Sequence, residues 1–192
     1  MLALPAAPAP AARRQVFVGT ALACVAAAML MGGMLALWMS MRTDSIATTQ
    51  SWMPKGVSVP EVATNVMLMA FLPICIFGQW AVYSARRDDR SHTGLALFLV
   101  ALLALAVINA QAFVYATMDV PARSGAFNTM FYALTGTFMI LMIIGMVFSV
   151  VTAFRYLGGR STDREIVSAH AMYWYFLSAV FVALWLVVYV TK

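Results

Sequence analysis

Phe127–Ala153 reads FNTMFYALTGTFMILMIIGMVFSVVTA, twenty-seven residues without an acid, a base or a histidine. A helix of that length is about 40 Å long at 1.5 Å per residue, enough to cross the roughly 30 Å hydrocarbon core of a bilayer. Four more apolar runs lie on either side of it, at about 16–41, 62–84, 93–116 and 171–190. All seven acidic residues (Asp44, Glu61, Asp88, Asp89, Asp119, Asp163 and Glu165) fall outside these runs or at their edges, and so do all twelve lysines and arginines. The chain is 64% hydrophobic and only 10% charged, too few charges to build a water-facing surface. The fold expected is all-α, a five-transmembrane-helix bundle over residues 15–192. Ahead of it, residues 1–14 form an Ala/Pro-rich segment expected to be disordered. It is a poor signal peptide, because Arg13 and Arg14 come late and the run behind them is too long for a signal core.

The cations set the orientation. Arg13, Arg14, Arg86, Arg87, Arg90, Arg155, Arg160 and Arg164 fall on one side of the five spans, against Arg42, Lys55, Arg123 and Lys192 on the other. The cation-rich side is cytoplasmic, so the N-terminus is expected inside and the C-terminus outside, in an inner membrane. The net charge of +5 is explained by these short clusters, and nucleic acid is not an expected partner.

The first run carries a small residue at every fourth position: Thr20, Cys24, Ala28, Gly32, Ala36 and Ser40. Lipid tails are as apolar as leucine, so helices in a bilayer associate through close backbone approach, and small residues allow it. A step of four advances about 400°, so the stripe drifts about 40° per step around an ideal helix. The plainer reading is an alanine-rich helix with a chance period. Gly145, Ser149 and Ala153 form a shorter version in the fourth run. Pro73 falls inside the second run and is expected to kink it. Trp52, in the loop before the second run, is a candidate headgroup anchor. Asn65, Gln79, Asn109, Gln111, Thr135, Thr137 and Ser178 lie within the runs, where such groups generally hydrogen-bond between helices.

Charge-handling chemistry is not encoded here. No ionisable residue stands well inside a span, where pumps and ion-coupled carriers place theirs. His92 and His170 are expected at the cytoplasmic ends of the third and fifth helices, where boundary histidines are solvated or touch headgroups. Cys24 and Cys75 lie deep in apolar runs and read as small packing residues. There is no nucleophile motif and no phosphate loop. The residues describe a scaffold or accessory subunit before an enzyme; an independent membrane protein, such as a small transporter or an assembly factor, is the alternative.

The fourth run holds Thr135, Gly136 and Gly145, and the fifth opens Tyr173-Trp-Tyr-Phe176. This pattern resembles subunit III of haem-copper terminal oxidases, in its five-helix bacterial form. Val18-Gly19-Thr20, Ser40-Met-Arg42, Trp52, Pro54, Asn65, Gln111 and Tyr115 fit the same family, and the likeness covers about 16–192. The resemblance implies a non-catalytic subunit without a redox cofactor or metal of its own. Its implied neighbours are oxidase subunits I and II together with bound phospholipid, and its role is to stabilise the catalytic subunit. Packing contacts are then expected from the first-helix stripe with Gly136, Gly145 and Trp174. Headgroup contacts are expected from Arg86, Arg87 and Arg155. The departures are specific: Ala27 stands where the family has a buried glutamate, Phe138 and Leu141 where it has histidines, Tyr175 where it has a histidine and Ser178 where it has an aspartate. They remove the residues that would argue for proton delivery. They also allow a divergent paralogue, one serving an unusual oxidase or a nitric oxide reductase.

Overall fold

The computed structural model describes residues 14–54, 56–119, 121, 125–159 and 164–191. Most of the 1–14 segment, together with Lys55, Arg123, Arg160, Asp163 and Lys192, lies outside the described residues. The described residues form five long helices: α1 (Gln15–Thr49), α2 (Glu61–Arg86), α3 (Arg90–Met118), α4 (Ala126–Leu157) and α5 (Arg164–Leu184). The end of α5 widens into π-helical geometry over Trp185–Val190. All five are long and apolar enough to cross a membrane.

The helices run past the apolar segments at several ends. α1 continues to Thr49, because the hydroxyls of Thr43, Thr48 and Thr49 fold back onto carbonyls four residues earlier and hold a polar extension in helical form. It stops where Gln50 turns left-handed and its N–H bonds the Ile46 carbonyl. α5 begins at Arg164, seven residues before the apolar run, so His170 stands inside the helix rather than at its boundary. α2 passes through Pro73 without ending.

α5 is the centre of the bundle, packed against α1, α2 and α4, while α3 closes the ring between α2 and α4. The core is a continuous apolar cluster that includes Met31, Trp38, Phe71, Leu134, Phe138, Leu177 and Phe181. Outward-facing side chains are just as apolar: Met29, Val62 and Phe154 are each at least 75% exposed. Such a surface is incompatible with water at this scale and is the expected surface of a bundle bathed in lipid.

Candidate functional site

The Arg-rich end is tied by three polar contacts. Asp88, in the turn between α2 and α3, receives both oxygens' hydrogen bonds from the Arg164 guanidinium at 2.7 and 2.8 Å. Asp89 caps α3: its carboxylate accepts the His92 backbone N–H at 3.1 Å and meets the His92 ring Nδ1 at 2.6 Å. The backbone bond from His92 is the main reason its carboxyl is held below the usual carboxylate range. Glu165, in the first turn of α5, accepts the Phe17 backbone N–H at 2.8 Å and so closes one of the four open donors at the start of α1. Arg86 and Arg87 are exposed at the end of α2, and the Arg87 guanidinium lies 4.4 Å over the Tyr83 ring. Arg155 is half-buried and engaged with neighbours, a poorer placement for reaching headgroups.

Between α4 and α5 the interior carries a polar knot. His170 is fully buried, and its Nε2 lies 2.7 Å from the Ser149 hydroxyl and accepts the Trp174 indole N–H at 2.9 Å. The expectation of a solvated boundary histidine is therefore wrong: the helix starts earlier, and α4 covers the ring. Gly145 is what lets the two helices meet here. A Cβ on it would come 2.9 Å from Tyr173 and 3.2 Å from Leu177 and Trp174. Trp174 is wholly internal, so its packing serves this chain's own helices. Gly136 is half-buried with open space beside it.

The first-helix stripe divides. Cys24 faces the core with Met31 and Trp38, whereas Ala28, Gly32, Ala36 and Ser40 are exposed and Thr20 is half-buried. The geometry of the helix explains the split. The buried positions recur every seven residues, which returns to nearly the same face, while steps of four drift about 40° each and carry the stripe from the core side at Cys24 to the outer side by Ser40. A Cβ added at Gly32 or Gly33 would meet nothing within 4 Å.

The positions that depart from the resemblance have become packing positions. Phe138 is buried in a ring cluster with Phe71 and Phe181, at centroid distances of 6.2 and 5.3 Å. Ser178 meets Cys75 at 3.1 Å, and the Tyr175 hydroxyl donates to the Gln79 side-chain oxygen at 3.2 Å, so both link α5 to α2. The Leu141 carbonyl accepts the Tyr173 hydroxyl at 2.8 Å. Trp52 does not anchor at the headgroups; it is buried against Trp38 and Phe127, with centroids 5.1 and 5.6 Å away. Among the described residues no three His, Cys, Asp or Glu side chains converge on a point that would hold a metal.

Sequence reasoning missed three features: the Glu165 cap on α1, the His170–Ser149–Trp174 knot, and the Trp38–Trp52–Phe127 cluster. The seven-residue spacing of Cys24, Met31 and Trp38 was the available signal for the inner face of α1.

This architecture has known relatives. The family model described as cytochrome c oxidase subunit III matches residues 7–192. Cytochrome c oxidase subunit 3 of Bos taurus is 30% identical over 146 residues, covering 72% of this chain and 54% of the relative. The subunit 3 of Schizophyllum commune is 28% identical over 155 residues, covering 77% of this chain and 56% of that protein. The chain thus spans about half the length of the curated relatives it matches. A match over nearly the whole chain, on a bundle of five long apolar helices, leaves one assignment: the protein is a multi-pass membrane protein that belongs to the cytochrome c oxidase subunit III family.

Proposed function

We propose that the chain is a non-catalytic subunit of a haem-copper terminal oxidase in an aerobic respiratory chain. In this reading it docks beside subunits I and II, stabilises the catalytic subunit and retains phospholipid at its surface, with no redox centre of its own. The N-terminus and the Arg-rich end face the cytoplasm of a bacterial cell, in keeping with the bias of cations.

The observation that carries the reading is the outer face of α1. Only 11% of its most apolar stretch is buried inside the chain, and its exposed surface carries Ala28, Gly32, Gly33 and Ala36 among larger side chains such as Leu22, Val25, Met29 and Leu37. Small residues gain little from facing lipid and much from letting another helix approach. Subunit I is the occupant proposed, and Arg86 and Arg87 are the proposed contacts for lipid phosphates at the cytoplasmic surface.

Solubilisation in a mild detergent, affinity capture of this chain and a visible absorption spectrum test the proposal. Haem-bearing chains should come down with it. Gly32→Leu should lower the captured haem about tenfold, the size expected for loss of a close helix contact of 1–2 kcal/mol. Capture of this chain free of haem would refute the proposal, and unchanged haem in Gly32→Leu would remove α1 from it.

A further inference from the structure

We infer that Met69 is an oxidation site, at which the thioether reduces lipid hydroperoxides that reach the outward face of α2.

The chain holds fifteen methionines, and the helices sort them by face. Met67 and Met69 both belong to α2, yet Met67 is 1% exposed and Met69 63%. Two residues of helix turn through about 200°, so one side chain enters the core and the other leaves the bundle. Met29 and Met31 repeat the arrangement in α1, at 75% and 1%. The face of Met29 is the one proposed for subunit I, which leaves Met69 as the sulfur open to lipid.

The surroundings of Met69 select the oxidant. Val62, Val66, Leu72 and Ile76, three and seven residues away in both directions, share its face and are all more than half exposed. A water-soluble oxidant is poorly held on such a surface, whereas a peroxide borne on an acyl chain belongs to the solvent that bathes it. An apolar cavity of about 370 Å³ opens beside Met69 between α2 and α5, lined by Leu68, Leu72, Ala179 and Val182 among others, so a segment of chain can lie against the sulfur. Cys75 and Ser178 border the same cavity, with Sγ and Oγ 3.1 Å apart. A thiol attacks peroxide as its thiolate, whereas a thioether needs no ionisation, so in this apolar place the methionine is the sulfur that reacts.

The step is a two-electron oxygen transfer. A lone pair of the Met69 Sδ attacks the terminal oxygen of the hydroperoxide. The S–O bond forms as the O–O bond breaks, and the hydroperoxide proton ends on the departing alkoxide. Sulfur loses two electrons and becomes the sulfoxide, a polar and chiral group. The hydroperoxide gains the same two electrons and leaves as the lipid alcohol.

The test places the full chain in palmitoyl-oleoyl phosphatidylcholine vesicles that also contain phosphatidylcholine hydroperoxide. Peptide mass spectrometry should find sulfoxide forming at Met69 at least about tenfold faster than at Met67, because oxidation follows exposure. Lipid alcohol should accumulate alongside it, and less of it with Met69→Leu, a swap of similar volume that the fold accepts. The chain captured from native membranes, with whatever accompanies it, should keep Met69 reactive under the same treatment. Equal rates at Met67 and Met69, or undiminished alcohol with Met69→Leu, would overturn the inference. So would oxidation of Met69 by aqueous hydrogen peroxide but not by the lipid hydroperoxide, or protection of Met69 in the captured assembly.

Discussion

α1 and α5 both qualify as spans, yet 11% of the most apolar stretch of one is buried inside the chain and 44% of the other. α5 sends Tyr173, Trp174, Leu177, Phe181 and Leu184 into the core, large side chains that fill space between three neighbouring helices. α1 buries just Cys24, Met31 and Trp38, lays Met34, Leu35 and Met41 partly against the core, and turns Ala28, Gly32, Gly33 and Ala36 outward together with Leu22, Val25, Met29 and Leu37. Apolarity decides that a helix enters the bilayer, but both alternatives there are apolar, so it does not decide what the helix touches. Side-chain size and the period at which large residues recur make that decision.

The sharpest way to break this comparison uses one glycine from each setting. Gly145 sits in the α4–α5 seam, where even a Cβ collides with Tyr173 at 2.9 Å, and both sides of the seam are fixed by the Ser149–His170–Trp174 contacts. Gly145→Val should destabilise the isolated chain in detergent by about 3 kcal/mol, the upper range for overpacking a tight interior. Gly32→Leu should change it by less than about 0.5 kcal/mol, because its surroundings within the chain are open and surface substitutions rarely do more. Thermal or denaturant unfolding of the two variants checks both. Equal losses would mean that α1 is as enclosed as α5 and that its outer face is not free for a partner.

The same contrast explains which parts of the molecule were legible in the sequence. Five spans follow from five uncharged runs, because each must satisfy its own backbone in lipid and only a helix does so. The helix ends were less legible: Arg164, Glu165 and the threonines after Met41 are polar, and outside the hydrocarbon a helix can continue with any residue that caps or back-bonds. That is why His170 reads as a boundary residue in the sequence and is buried in the structure. Trp174 was readable as important from the Tyr173-Trp-Tyr-Phe176 pattern, but the Gly145, Ser149, Ala153 spacing marks Ser149 only as a small packing residue, and no local pattern announces that it accepts a hydrogen bond from a tryptophan of another helix. Trp52 misled for the same reason, since a tryptophan near a span end suits a headgroup layer as well as a folded-back loop, and only Trp38 and Phe127 decide between them.

α1 and α5 are joined by a polar contact that tests how far the outer helix depends on the central one. The Phe17 N–H to Glu165 bond caps the first turn of α1 from the first turn of α5, and a carboxylate there also suits the positive end of the helix dipole. Glu165→Ala should cost about 1 kcal/mol, the ordinary value of a lost cap. The loss should be local: faster amide exchange over the first turn of α1, with the α4–α5 seam unaffected. Exchange spreading into the seam would show that the two helices form one cooperative unit and would weaken the distinction between them.

α3 supplies the smallest effect, because its cap is its own. The Asp89 carboxyl is held below its ordinary value of 3.8, first by the His92 backbone N–H and then by the His92 side chain. A carboxyl that is more acidic in the folded chain than in the unfolded one binds its proton less readily when folded, so its contribution is present above about pH 4 and fades as pH falls through the folded value. The group is exposed, and the change should be smaller than that of Glu165→Ala. Unfolding of the parent and of Asp89→Asn, compared between about pH 6 and pH 3, isolates it. Asparagine keeps an acceptor for the His92 N–H but does not titrate in this range. The difference in stability between the two chains should therefore shrink on acidification; a constant difference would mean that the negative charge contributes nothing and the cap works through its hydrogen bond alone.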